Sequence, residues 1–123
     1  MLFPRNVSLT AKIAAVAADV FKNIRRVIEI RALENAGRQR ASVYRDVALY
    51  TTLSPCAMCS GAILLYGIPQ VVVGENRTFL GEETLLRARG VQVEVLQEPA
   101  CVELMREFIA SNPALWNEDI GLT

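Results

Sequence analysis

The chain has 123 residues, with 13 Lys+Arg against 13 Asp+Glu, a formal net charge of +0 and no histidine. That length suits one hydrophobic core, and 52% hydrophobic with 21% charged residues describes a packed globule, not a disordered tail. The charge balance excludes a strongly basic nucleic-acid footprint and an anionic-membrane binder. The missing histidine excludes Ser-His and Cys-His catalysis and every His-ligated metal site.

In chain order, residues 8–36 read as a helix, Ala-rich with Ile13, Val16, Val20 and Ile24 at spacings of three and four. Lys12 and Asp19 interrupt its apolar stretch, which argues against a signal peptide. No run reaches the ~20 apolar residues of a membrane helix, so the expected location is the cytoplasm. Gly37 suits a C-cap, and residues 39–46 form a polar connection. Residues 47–53 read as a strand, with Tyr50 and paired threonines. Ser54 can cap the next helix and Pro55 suits its first turn; the helix runs to Tyr66 and ends at Gly67-Ile68-Pro69. A short buried strand at 70–73, a loop at 76–81, a helix at 82–89 and a strand at 91–96 follow. An amphipathic helix at 99–111 carries Val102, Met105, Phe108 and Ile109, and Asn112-Pro113 opens a last turn holding Trp116. Strands alternating with helices indicate an α/β sandwich with parallel strand pairs.

Three cysteines, an odd number, argue against a secreted disulfide framework. Cys101 stands alone, whereas Cys56-Ala57-Met58-Cys59 places two thiols on one face of a first helical turn. Helix N-termini favour thiolates, so the pair suits zinc or redox chemistry; two buried small hydrophobes is the plain alternative. A strand and Ser-Pro lead into the pair, unlike the aromatic segment that precedes a thioredoxin motif. The zinc deaminase signature H-x-E…P-C-x-x-C has its second half here in Pro55, Cys56 and Cys59. Glu29 stands upstream at a suitable distance, and the position two residues before it holds Val27 in place of histidine.

Beyond that signature, residues 29–123 resemble the fungal-type cytosine deaminases and their bacterial relatives. The resemblance lies in Ala32-Leu33-Glu34-Asn35-Ala36-Gly37-Arg38, Leu49-Tyr50-Thr51-Thr52-Leu53-Ser54-Pro55-Cys56 and Gly61-Ala62-Ile63-Leu64-Leu65-Tyr66-Gly67-Ile68-Pro69. Val73-Gly74-Glu75-Asn76 and the terminal Trp116-Asn117-Glu118-Asp119-Ile120-Gly121 complete it. Residues 1–28 form a helical segment without resemblance to the family.

The resemblance implies a three-layer α/β/α sandwich around a central mixed sheet, lacking the family's N-terminal hairpin. It implies a zinc-dependent hydrolase that deaminates cytosine to uracil and ammonia in pyrimidine salvage. Cys56 and Cys59 match the zinc ligands and Glu29 the carboxylate that moves the proton. Asp119 matches the acceptor for the substrate amine, Trp116, Phe79 and Ile120 the apolar pocket walls, and Ser54 a further substrate contact. A small nucleobase as substrate, no nucleic acid or membrane partner, and a homodimer joined around Leu64-Leu65-Tyr66 are further implications. Val27 stands where the family has its histidine ligand, so weak or absent metal and impaired turnover are expected of this chain. Cys101 lies on a different helix and is a poor substitute ligand. The absent hairpin leaves a sheet edge open, unless the helix at 8–36 covers it or a second chain pairs there. The alternatives are a non-catalytic remnant or dimer partner, and a tRNA adenosine deaminase-like enzyme, against which the zero charge and the Trp-x-Glu-Asp ending weigh. A redox Cys-x-x-Cys protein is more distant.

Overall fold

Three consecutive valines at 71–73 form the middle of a strand that is buried along nearly its whole length, as expected for a parallel strand covered on both faces. This computed structural model describes residues 2–4, 32–34, 36–37 and 39–122. The elements are β1 (Leu2–Pro4), α1 (Ala41–Tyr44), β2 (Val47–Leu53), α2 (Ala57–Tyr66), β3 (Gln70–Glu75), α3 (Glu83–Ala88), β4 (Gln92–Val95), α4 (Pro99–Ser111) and α5 (Pro113–Asp119). The four strands form one sheet in the order β1-β2-β3-β4. β2, β3 and β4 run parallel, and β1 is antiparallel to β2.

The register explains the core. Leu2 pairs with Leu49, Leu49 with Val71 and Val71 with Val93, so one apolar row crosses all four strands. Leu49, Val71 and Val73 pack with Ile63 of α2 and Leu86 of α3 in a single buried cluster. Both parallel crossovers are therefore covered on the same face, as right-handed connections advancing in one direction require. The alternate residues of β3 point the other way, where Gly74 faces Cys101 of α4. Helices thus flank a mixed sheet on both faces, the three-layer α/β/α arrangement expected from the sequence.

β2 and α4 have the expected bounds, α2 ends at Tyr66 as expected, and β3 extends two residues further, to Glu75. Gly67 ends α2 with φ +72, a left-handed conformation that its missing Cβ permits, and its N–H bonds to Leu64. The α4 face is centred on Cys101, Leu104 and Met105, with Val102, Phe108 and Ile109 half-buried at its margins. Three expectations are corrected. Residues 41–44 form a helical turn within the supposed polar connection, because Tyr44 drops into the core and its hydroxyl donates to the Gly37 carbonyl. The β2 edge is not left open: β1 pairs with it across Val47–Leu49, since Leu2 extends the apolar row. Neither Ser54 nor Pro55 takes its expected place in α2: Cys56 is the N-cap residue, so Pro55 precedes the first turn and Ser54 bonds elsewhere. The expected helix at 8–36 falls largely outside the described residues; 32–34 and 36 are helical.

Replacing Leu49, wholly buried at the centre of the apolar row, with alanine should cost about 2–5 kcal/mol. The urea midpoint will read this as a lower value at unchanged slope.

Candidate active site at the β2–α2 junction

The carboxyl ends of β2 and β3 are where a parallel α/β sheet opens a crevice for ligands. Here β2 hands over to α2 through Ser54, Pro55 and Cys56. Cys56 is the N-cap residue of α2 with extended backbone (φ −69, ψ 174), and Cys59 lies one turn on. That geometry turns the two sulfurs together, with 3.4 Å between their Sγ atoms. Cys56 is half-buried and Cys59 buried, and neither forms a disulfide.

A polar clamp holds this junction. The buried Ser54 hydroxyl donates to Glu83 Oε1 at 2.8 Å and accepts from the Gly81 N–H at 2.9 Å. The Pro55 carbonyl accepts from the Glu82 N–H at 2.9 Å. Gly81 lies so close to the Pro55 carbonyl that a Cβ there would collide with backbone. Glu83, 4% exposed, is satisfied by Ser54, by Asn76 Nδ2 and by Arg87, whose Nη1 lies 3.5 Å away. Asn76 in turn accepts from Gln97 Nε2 at 2.6 Å, which links the ends of β3 and β4. Glu75 closes β3, its Oε2 accepting from the N–H groups of Arg77 and Thr78 at 2.7 and 2.9 Å.

The other expected site residues divide into two groups. Phe79 and Trp116 are brought together edge to face, ring centroids 6.5 Å apart, so a loop after β3 meets α5. Ile120 is half-buried at the C-cap of α5 and Asp119 is exposed at its end. Glu29 and Val27 lie outside the described residues. Sequence reasoning missed Glu83, Asn76 and Gln97. Glu83 stands 29 residues from Ser54, and no local pattern marks such a partner.

The donors can be tested against zinc. Two thiolates 3.4 Å apart suit adjacent corners of a tetrahedron, in which Zn–S bonds of ~2.3 Å put sulfurs about 3.8 Å apart. A catalytic zinc needs three protein ligands. Among the described residues no group of three His, Cys, Asp or Glu side chains could hold a metal, so the pair there does not complete such a site. Cys101 does not join it. Its thiol is pushed up from its ordinary pKa by burial, and then by the neighbouring Glu98 and Glu75 carboxylates, which disfavour a thiolate.

Residues 11–75 match the family described as the cytidine and deoxycytidylate deaminase zinc-binding region. The cytosine deaminase of Candida albicans is 57% identical over 93 residues, covering 76% of this chain and 62% of that protein. This chain therefore spans less than two thirds of that relative's length. The tRNA-specific adenosine deaminase 2 of Xenopus tropicalis is 38% identical over 58 residues, 46% of this chain and 34% of that protein. The crystal structure of a mutant of NE0047 in complex with 8-azaguanine shows 28% identity and a TM-score of 0.45, over 52% of this chain and 43% of that one. Fold, junction and family match define one class, the zinc-region deaminases. The chain belongs to the cytidine and deoxycytidylate deaminase family. Among the described residues no helix is long and apolar enough to cross a membrane.

Two outcomes test this geometry. Ser54→Ala removes one donor and one acceptor from a buried clamp and should cost about 1–3 kcal/mol, measured by chemical denaturation. In the reduced native protein at neutral pH, a thiol-alkylating reagent should label Cys56 well before Cys101, with the Cys101 rate rising only at more alkaline pH. Peptide mass mapping over time reads both.

Proposed function

We propose that this fold serves the hydrolytic deamination of cytosine to uracil and ammonia, and that Val27 leaves this chain short of a metal ligand and weak in turnover. The observation that carries the reading is the thiol pair at the carboxyl end of β2, held 3.4 Å apart beside a clamped junction, in a chain without histidine. The identity with the Candida albicans cytosine deaminase supports cytosine over the tRNA adenosine of the more distant relatives. The zero net charge supports it too, since a tRNA substrate calls for a basic surface.

Cys56 and Cys59 are the residues that would hold zinc, and the metal would supply an activated water at the crevice. Glu29 is assigned the proton transfer between that water, the ring and the leaving amine. Asp119 is assigned the substrate amine, Ser54 a further substrate contact, and Phe79, Trp116 and Ile120 the apolar enclosure that excludes water. Their assembly with the thiol pair is part of the proposal. A second reading, a non-catalytic partner of an intact subunit, draws on the outer face of α2, where Leu65 is 83% and Met58 57% exposed. We place the homodimer contact there, and the pyrimidine salvage role and cytoplasmic location belong to the same reading.

Zinc per chain and cytosine turnover, measured for this protein and for Val27→His, test it. The parent should carry well under one zinc per chain, and the variant should approach one. Turnover restored with metal assigns the defect to the ligand; metal without turnover favours the non-catalytic partner. A parent already saturated with zinc would sink the reading.

A further inference from the structure

We propose that the Cys56–Cys59 pair is a redox-active dithiol that closes to an intramolecular disulfide. The proposal rests on the preceding reading in one respect: a firmly held metal would occupy the same sulfurs.

Three observations carry it. The first is distance. The Sγ atoms are 3.4 Å apart, and a disulfide bond is about 2.05 Å, so closure asks for a shift of about 1.4 Å shared between two side chains. The second is asymmetry. Cys56 is half-buried at the N-cap, where its extended backbone lies outside the helical ladder, while Cys59 is 1% exposed inside the first turn. An approaching reagent meets Cys56 first, and Cys59 sits behind it as the resolving thiol. The third is rigidity. The Cys56 carbonyl accepts from the Ser60 N–H at 2.9 Å, and the Pro55 carbonyl is fixed by Glu82 with Gly81 against it. The backbone that carries the sulfurs is anchored before and after Cys56, so the short approach does not depend on a mobile loop.

The oxidant is a low-molecular-weight disulfide. The Cys56 sulfur attacks one sulfur of that disulfide, loses its proton to solvent and expels the other half, which leaves as a thiol after protonation. The Cys59 sulfur then attacks Cys56 Sγ, releases its own proton and expels the second thiol. Overall, one small disulfide and two protein thiols become one protein disulfide and two small thiols. The protein pair is oxidised by two electrons and the reagent reduced by two. Cys101, buried against Gly74 on the other face of the sheet, takes no part.

The experiment uses the full chain, reduced, treated with a chelator and exchanged into oxidised glutathione, with zinc assayed on a parallel sample. Free thiols should fall from the three of the reduced protein to one, without retained glutathione, and the mass should drop by that of two hydrogens. The Cys59→Ser variant should instead keep one glutathione on Cys56, and Cys101→Ala should still close. Circular dichroism checks that both variants fold. A parent that retains all its thiols, or stops at a stable glutathione adduct, overturns the proposal, and so does closure that needs Cys101. The zinc assay reads the metal question separately, so loss of the dithiol proposal and loss of the metal reading give different results.

Discussion

The close approach of the loop at Gly81 to the Pro55 carbonyl is the constraint on which the rest of the site depends. Proline offers no N–H, so the turn out of β2 is held through its carbonyl and through the hydroxyl before it. Gly81 supplies the N–H to Ser54, Glu82 the N–H to Pro55, and Glu83 the carboxylate that accepts from Ser54. Three successive residues, 81–83, thus fix two successive residues of the turn after β2, and α2 starts where that contact leaves it. Burying polar atoms costs least where they have partners. Glu83 meets that condition through three different elements: the turn after β2, the end of β3 and its own helix.

How much of this was legible in the sequence depends on the range of the interaction. Local signals performed well: the Val-Val-Val run gave a buried strand, Gly67 a helix end and Pro99 a helix start, because each acts within a turn or so of itself. The thiol pair was legible for the same reason. Ser54 was misread because its residue type and its neighbour Pro55 fit a helix cap, whereas the stronger bonds come from a loop 27 and 29 residues away. Residues 41–44 were misread as polar because one aromatic, Tyr44, outweighs its exposed neighbours once it stacks on Tyr66 with centroids 4.8 Å apart. β1 left no trace in the pattern, since three residues carry too little periodicity to distinguish a strand.

The chemistry of the junction follows from what remains there. In the proposed function the paired thiols are part of a metal site, and their spacing is set by the start of α2. On the proposed function a valine at the third ligand position changes which reaction the pair serves, while the clamp that sets the pair's spacing lies within residues 54–97. The same two sulfurs can be read as incomplete ligands or as an intact dithiol. The structure supplies for both readings one fixed distance.

The contact between Gly74 and Cys101 has an evolutionary corollary. A Cβ at 74 would lie 2.5 Å from the Cys101 sulfur and 2.7 Å from the Thr52 carbonyl, so α4 rests directly on the backbone of β3. The two positions behave as a single volume shared between sheet and helix. Enlargement at 74 is blocked from one side by a sulfur that could be trimmed and from the other by a carbonyl that could not. Drift at position 101 is therefore open toward smaller residues, whereas position 74 is locked, and no compensating change on α4 alone releases it.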